Sequence, residues 1–220
     1  MRRGLFVTGT DTGVGKTVVS AALLVRYGAD LPLRYWKPIQ TGVPPDDDTA
    51  EVRRLASGAG AEVADGGVRL PDPVSPHLAA ARAGETIDLD PLVARPAGDP
   101  DARWIVEGAG GLLVPLNRFA LMADLVGRLD LAAVVVARST LGTINHTLLT
   151  LEALRARSLA VAGVVMVGHP DRDNREAITR YGGVDVLGEL PRLEPLTPAA
   201  LAAWVRTGLD PGGRLRRWLA

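Results

Sequence analysis

Cysteine is absent from the 220-residue chain. That excludes disulfides, iron–sulfur clusters, thiolate zinc sites and cysteine nucleophiles together. Histidine is scarce: His77, His146 and His169 stand singly, a poor basis for a zinc site. Net charge is also missing, because 25 Lys and Arg balance 25 Asp and Glu, and no basic run exceeds a pair. A nucleic-acid scaffold or a polybasic membrane anchor is therefore disfavoured. Long apolar runs are lacking too: the stretch 131–137 is closed by Arg138, far short of a membrane span. The chain opens Met1-Arg2-Arg3-Gly4 and enters a strand-like run with no small-residue cleavage site, so a soluble protein of the cytoplasm is expected.

What is present is enough apolar material, 47% of residues, for a core that one domain spanning 1–220 would share. Short β-branched runs at 5–8, 33–36, 104–106, 132–137, 160–167 and 184–187 alternate with helical patterns such as 17–27. Ile144, Leu148, Leu151 and Leu154 recur at helical spacing, with Glu152 and Arg155 turned outward. Strands alternating with helices predict an α/β fold with a mostly parallel central sheet and helices on both faces. The run 132–137, apolar at every position, is expected to be buried on both sides. Segments 42–48 and 96–101 read as loops, and 58–76 as an irregular excursion.

Lysine is the most telling scarcity, since 23 of the 25 basic residues are arginine and only Lys16 and Lys37 remain. Lysine offers a compact point charge where arginine offers a wide planar fork, so these positions mark places where the fork would not serve. Lys16 lies in Gly9-Thr10-Asp11-Thr12-Gly13-Val14-Gly15-Lys16-Thr17, between a strand and a helix. Glycines there let backbone N–H groups approach phosphate oxygens, the helix N-terminus favours an anion, Lys16 reaches the β and γ phosphates, and Thr17 can ligate Mg²⁺. The strict pattern places Gly where Thr10 stands, so the loop is a variant of the P-loop NTPase type. A nucleoside triphosphate with Mg²⁺ is the expected ligand, although many activities share such a cradle.

Trp36-Lys37-Pro38-Ile39-Gln40-Thr41-Gly42 ends the second strand and sets Lys37 at the carboxyl edge of the sheet, where it could hold an anion or neutralise a transferred phosphoryl group. Asp48, after Asp46 and Asp47, and Glu107, in Glu107-Gly108-Ala109-Gly110-Gly111 after an apolar strand, could complete a metal site. Taken alone, the Asp run also fits a solvated loop, and Lys37 a surface lysine.

The motifs TGTDTGVGKT, WKPIQTG, PVSPH, EGAGGLLVPL, LGTINHTLLT and LGELP, in that order over most of the chain, resemble the dethiobiotin synthetase family. The resemblance implies that 7,8-diaminononanoate takes up CO₂ as a carbamate, ATP phosphorylates it, and the neighbouring amine closes the ureido ring, releasing ADP and phosphate. It implies that Lys16 and Lys37 flank the carbamate and γ-phosphate, and that Gly13, Val14, Gly15, Lys16, Thr17 and Val18 wrap the phosphates. Thr17, Asp48 and Glu107 would hold Mg²⁺. Gly108, Ala109 and Gly110 would pass close to bound nucleotide, and Thr12 and Thr41 would offer hydroxyls to the substrate. Leu141, Gly142 and Asn145 resemble a segment that holds substrate at a homodimer interface, Asn145 being equally a candidate helix cap. His77 and His146 fit ordinary loop and helix residues, and neither is assigned a base role.

The resemblance breaks in one place. Many members carry Asn-Asp after the strand ending Val165-Met166 to read the adenine edge, whereas Val167-Gly168-His169 stands here. Backbone groups of Pro191, Arg192 and Leu193 remain for the base. A partitioning-type ATPase switch is the rival from another class, but its loop carries a signature lysine where this chain has Asp11. A carboxylate-amidating synthetase usually adds a glutaminase domain with a Cys nucleophile, for which there is neither length nor cysteine.

Overall fold

The computed structural model describes residues 2–99 and 101–220. Strand β1 (Gly4–Gly9) runs through the phosphate loop into α1 (Lys16–Tyr27), and β2 (Leu33–Trp36) and a short β3 (Ile39–Thr41) follow. Next come α2 (Asp48–Leu55), β4 (Glu62–Ala64), β5 (Val68–Leu70), α3 (Pro76–Arg82) and α4 (Leu89–Ala97). The second half alternates strictly: β6 (Arg103–Gly111), α5 (Met122–Leu129), β7 (Ala132–Arg138), α6 (Thr143–Arg155), β8 (Val161–Val167), α7 (Arg172–Gly182) and β9 (Val186–Leu190). Helices α8 (Pro198–Gly208) and α9 (Arg216–Leu219) close the chain.

Seven strands form one sheet in the order β4-β2-β6-β1-β7-β8-β9, and every pairing in it is parallel. Two cores lie on its faces, and alternate residues of each strand serve one or the other. Phe6, Ala133, Val135 and Ala137 pack into one, while Leu5, Val7, Val134 and Val136 pack into the other. This is why the run 132–137 tolerates no polar residue: it has no wet side.

The register sets the site. Val7 pairs with Glu107, Gly9 with Gly111, and Trp36 with Val106, so β1, β2 and β6 end side by side. Their carboxyl ends bring the phosphate loop, Lys37 and Glu107 to one rim, where ligands of open parallel sheets bind.

Several expectations shift. The segment 58–76 is not an irregular excursion, because β4 extends the main sheet beside β2, β5 pairs with β3 in a separate two-stranded sheet, and α3 begins at Pro76. These strands have three residues each, too few to show a period. Asp48 is not loop but the first residue of α2, whose N-cap Asp47 accepts from the Ala50 amide at 3.0 Å. Helix α4 carries on to Ala97, with Pro100 of the expected 96–101 loop lying outside the described residues. Strand β6 is longer than the expected run 104–106, and β9 begins at Val186 rather than at 184. Asn145 is not a helix cap, since α6 is entered from Gly142 in the left-handed region at φ 93°.

Candidate active site

Gly15 caps α1 at φ 98°, a conformation glycine adopts without the penalty that a Cβ brings. A Cβ there would lie 3.0 Å from Val167 Cγ1, so the end of β8 supports the loop from behind. Asp11 braces the loop's other limb: its Oδ1 accepts from the Thr12 amide at 2.7 Å, and its Oδ2 pairs with Arg138 of β7 at 2.6 Å. Lys16 arches back, its Nζ donating to the Asp11 carbonyl at 3.0 Å. Burial, then the neighbouring Lys37 charge, pushes the Lys16 ammonium down to about 8, against the pull of Glu107, Asp48 and Asp11.

Opposite the loop, Lys37 is 3% exposed and all three of its N–H donors are engaged. Nζ lies 2.7 Å from Asp48 Oδ2, 2.8 Å from Glu107 Oε1 and 3.1 Å from the Gly108 carbonyl. Burial alone would lower its basicity, but the charges of Glu107 and Asp48 and the bonds to them raise it above the usual lysine value. Burial likewise pushes Asp48 up, and Lys37, the Thr17 hydroxyl and Lys16 outweigh it, leaving the carboxyl below its usual range. Glu107 has no exposed surface, and its Oε2 accepts from Tyr35 Oη at 3.0 Å. Burial first, then Glu107, drives that phenol well above its ordinary value, so it stays a donor.

Thr17 Oγ1 completes the cluster at 2.7 Å from Asp48 Oδ1 and 3.0 Å from Glu107 Oε1. One hydroxyl hydrogen cannot fully serve two carboxylates, so these oxygens are under-supplied with donors and could accept a cation. Three hard oxygens of this kind suit Mg²⁺. Among the described residues no group of three His, Cys, Asp or Glu converges to hold a metal ion, and this cluster offers two carboxylates and a hydroxyl.

These groups open on a cavity of about 1060 Å³, which Thr12, Gly13, Gly15, Lys16, Thr17, Val18, Lys37, Thr41, Asp48, Glu107, Ala109 and Gly110 help to line. Val14 and Gly108 stand behind it. Val14 is buried beneath the loop, and Gly108 abuts Phe6, whose Cε1 is 2.9 Å from where a Cβ would project. Leu141, Gly142 and Asn145 lie apart at the exposed start of α6, and Pro191, Arg192 and Leu193 follow β9 with Arg192 paired to Glu194 at 2.6 Å. A second cavity of about 550 Å³ also borders Thr12 and Val114; Leu112, Leu113, Leu149 and His146 line it. His77 bonds locally to Ser75 at 3.1 Å.

The turn after β8 carries no side-chain amide. Gly168 takes φ 130° above Ser139, and His169 Nδ1 lies 3.0 Å from its neighbour's carbonyl, Pro170 O. Two contributors carry no motif signal. Tyr35 sits inside a hydrophobic strand, and Arg69 of β5 donates to the Lys37 carbonyl at 2.9 Å and to Thr49 of α2 at 3.2 Å, from a segment without sequence period.

A family model described as an AAA domain matches residues 3–200. The chain is 53% identical over 200 residues to the ATP-dependent dethiobiotin synthetase BioD of Paramagnetospirillum magneticum, covering 91% of this chain and 93% of that one. The like-named protein of Agrobacterium fabrum is 47% identical over 195 residues, 89% of each. That of Rhizorhabdus wittichii is 44% identical over 211 residues, 96% and 98%. Among solved structures, the septum site-determining protein MinD of Pyrococcus horikoshii, complexed with Mg-ADP, superposes with a TM-score of 0.61 at 15% identity, covering 100% and 95%. Cobyrinic acid a,c-diamide synthase of Mycobacterium smegmatis gives 0.54 at 16%, covering 94% and 95%. At such identities these two attest the P-loop fold alone.

Proposed function

The chain belongs to the family of ATP-dependent dethiobiotin synthetases, and from that membership we propose how its residues close the ureido ring. The reaction joins 7,8-diaminononanoate, CO₂ and ATP into dethiobiotin, ADP and phosphate, a step of biotin biosynthesis. The partition-type switch is not favoured: its relatives share the fold at 10–18% identity, while synthetases match at 44–53%.

The observation that carries the residue assignments is the burial of Lys37 between Asp48 and Glu107 at the mouth of the phosphate loop. A carbamate is an anion, and its phosphorylation is mainly a matter of position and charge. Lys37 and Lys16 hold the carbamate and the γ-phosphoryl group in line. Gly13, Val14, Gly15, Thr17 and Val18 wrap the phosphates through backbone N–H groups at the start of α1. The Thr12 and Thr41 hydroxyls orient the diamine. The carbamate oxygen then takes the γ-phosphoryl group as the bond to ADP breaks. The free amine next attacks the carbamoyl carbon, expelling phosphate, and the departing phosphate takes up the amine proton. Thr17, Asp48 and Glu107 would hold Mg²⁺, which when bound would screen the phosphate charge.

The smaller cavity, walled by Leu112, Leu113 and Leu149 and joined to the larger near Thr12, suits an aliphatic chain leading away from the two amines. Leu141, just before α6, is fully exposed and Leu149 within it 56% exposed, which supports a homodimer across this helix with Leu141, Gly142 and Asn145 reaching the partner's substrate. Pro191, Arg192 and Leu193 would border the base. Gly108, Ala109 and Gly110 would pass beside the nucleotide. Among the described residues no helix is long and apolar enough to cross a membrane, and we place the reaction in the cytoplasm, with residues 1–220 acting as a single unit.

The test supplies Mg-ATP, labelled bicarbonate and the diamine. ADP and acid-stable label are expected in equal amounts, both requiring the diamine. Diamine-independent hydrolysis stimulated by DNA or lipid would refute the assignment.

A further inference from the structure

One buried polar side chain lining the larger cavity is left idle by the steps above. Gln40, the middle residue of β3, is 2% exposed and lines this cavity with Lys37, Thr41 and Asp48. Its Nε2 donates to the Asp46 carbonyl at 2.5 Å, while Oε1 is buried without a partner. The orientation of the amide is fixed by that bond, because exchanging N and O would set two oxygens against each other at Asp46. A buried acceptor without a donor is costly, and such groups mark places where something outside the chain completes the bond.

The buried charged groups around the reacting centre are either cations or engaged, and the Thr12 and Thr41 hydroxyls at the cavity wall are more exposed than Gln40. Lys16 and Lys37 offer donors only, and the Asp48 and Glu107 carboxylates face Lys37 and Thr17. The ring-closing amine needs the opposite: an acceptor for its N–H that leaves its lone pair free. A carboxylate in that role would hold it as an ammonium ion, which cannot attack. A neutral amide oxygen accepts the hydrogen bond without retaining the extra proton.

We propose that Gln40 is a substrate-binding residue whose Oε1 accepts a hydrogen bond from the amine that remains free while its neighbour carries the carbamate. This rests on the synthetase assignment above. It makes Gln40 a determinant of specificity, since a site with a buried acceptor rejects an analogue that lacks the matching N–H.

The experiment compares binding of the diamine with that of 7-amino- and 8-aminononanoate, each lacking one amine, to the wild-type protein and to Gln40→Met. The wild type is expected to prefer the diamine over one of the two analogues by at least about 10-fold. Gln40→Met should lose that preference while its affinity for Mg-ADP stays within about 2-fold, an acceptor bond to substrate being all that is removed. Retained preference, or equal weakening toward diamine, both analogues and Mg-ADP, overturns the proposal, the latter showing that Gln40 acts only through Asp46. If the Met variant does not fold, Gln40→Glu decides. A carboxylate there should hold the amine protonated and move the alkaline rise of kcat upward by at least about one pH unit; an unmoved profile overturns the proposal. A wild type that forms no dethiobiotin would instead sink the synthetase assignment itself.

Discussion

The Lys37 ammonium lies 2.8 Å from Glu107 Oε1, and Glu107 has no exposed surface at all. Two opposite charges taken out of water are sustained only while both are present, and removing one partner of such a pair costs about 3–5 kcal/mol. Lys37→Gln should therefore do two separable things. Turnover falls at least about 10²-fold through loss of a preorganised charge, and the melting temperature drops because Glu107 is stranded. The double variant Lys37→Gln, Glu107→Gln should regain much of the melting temperature and none of the turnover. Lys37→Arg should rescue little, because the guanidinium fork does not fit a socket that holds a point charge. Melting curves and steady-state turnover on the four proteins check this, and parallel recovery of both properties would refute it.

Tyr35 donates to Glu107 Oε2 at 3.0 Å from within β2 and touches no reacting atom. Partners that orient a metal-ligating carboxylate typically contribute about 10–100-fold in metal affinity. Tyr35→Phe keeps the ring packing and deletes only the hydroxyl. Expected is a rise of about 10-fold or more in the Mg²⁺ concentration giving half-maximal turnover, with the KM for the diamine unchanged. A changed diamine KM with an unchanged Mg²⁺ requirement would show that the hydroxyl serves the substrate instead.

Glycine spacing and the two lysines made the rim of the sheet legible in the sequence, because phosphate binding demands those residue types at that spacing. The strands that read clearly were those with apolar residues throughout, since burial on both faces leaves no alternative. What stayed illegible was short or tertiary. Strands β4 and β5 have three residues each, too few for a period, and they exist because β2 and β3 offer open edges to pair with. The exposed-looking Asp46-Asp47-Asp48 run gave no sign that Asp47 would cap a helix and turn Asp48 toward Lys37. Tyr35 looked like any core aromatic, since its hydroxyl finds Glu107 only once β6 lies beside β2.

Gly15 combines a left-handed φ of 98° with a hypothetical Cβ position 3.0 Å from Val167 Cγ1. Gly15→Ala thus meets backbone strain of about 1–2 kcal/mol and a contact that Val167 must relieve. Affinity for Mg-ADP should fall about 10-fold or more, since the strain falls on the loop that must close around the phosphates. Adding Val167→Ala should return part of this loss, because it removes the contact and leaves the strain. Calorimetric titration of the single and double variants tests it; no recovery in the double variant would show that the backbone alone is responsible.

The charge of Lys16 changes in an accessible range, because burial and Lys37 push it down to about 8. In the unfolded chain it titrates near 10.5, so between about 8 and 10.5 the unfolded state binds more protons and this residue makes the fold more stable as pH rises. Nucleotide binding has the opposite sign. Phosphates favour the ammonium form, so at pH 8 a triphosphate should draw in about half a proton, approaching one near pH 9.5 and almost none near pH 6.5. Affinity should then decline above pH 8 by up to about tenfold per unit. Lys37 does not contribute, its carboxylate partners holding it above the ordinary lysine value. Titrations at pH 8 in buffers of different ionisation enthalpy measure the uptake directly. Lys16→Arg, which stays charged throughout, should abolish the uptake even where it still binds nucleotide weakly. An uptake that persists in that variant would assign the titration to another group and remove Lys16 as the source of the pH dependence.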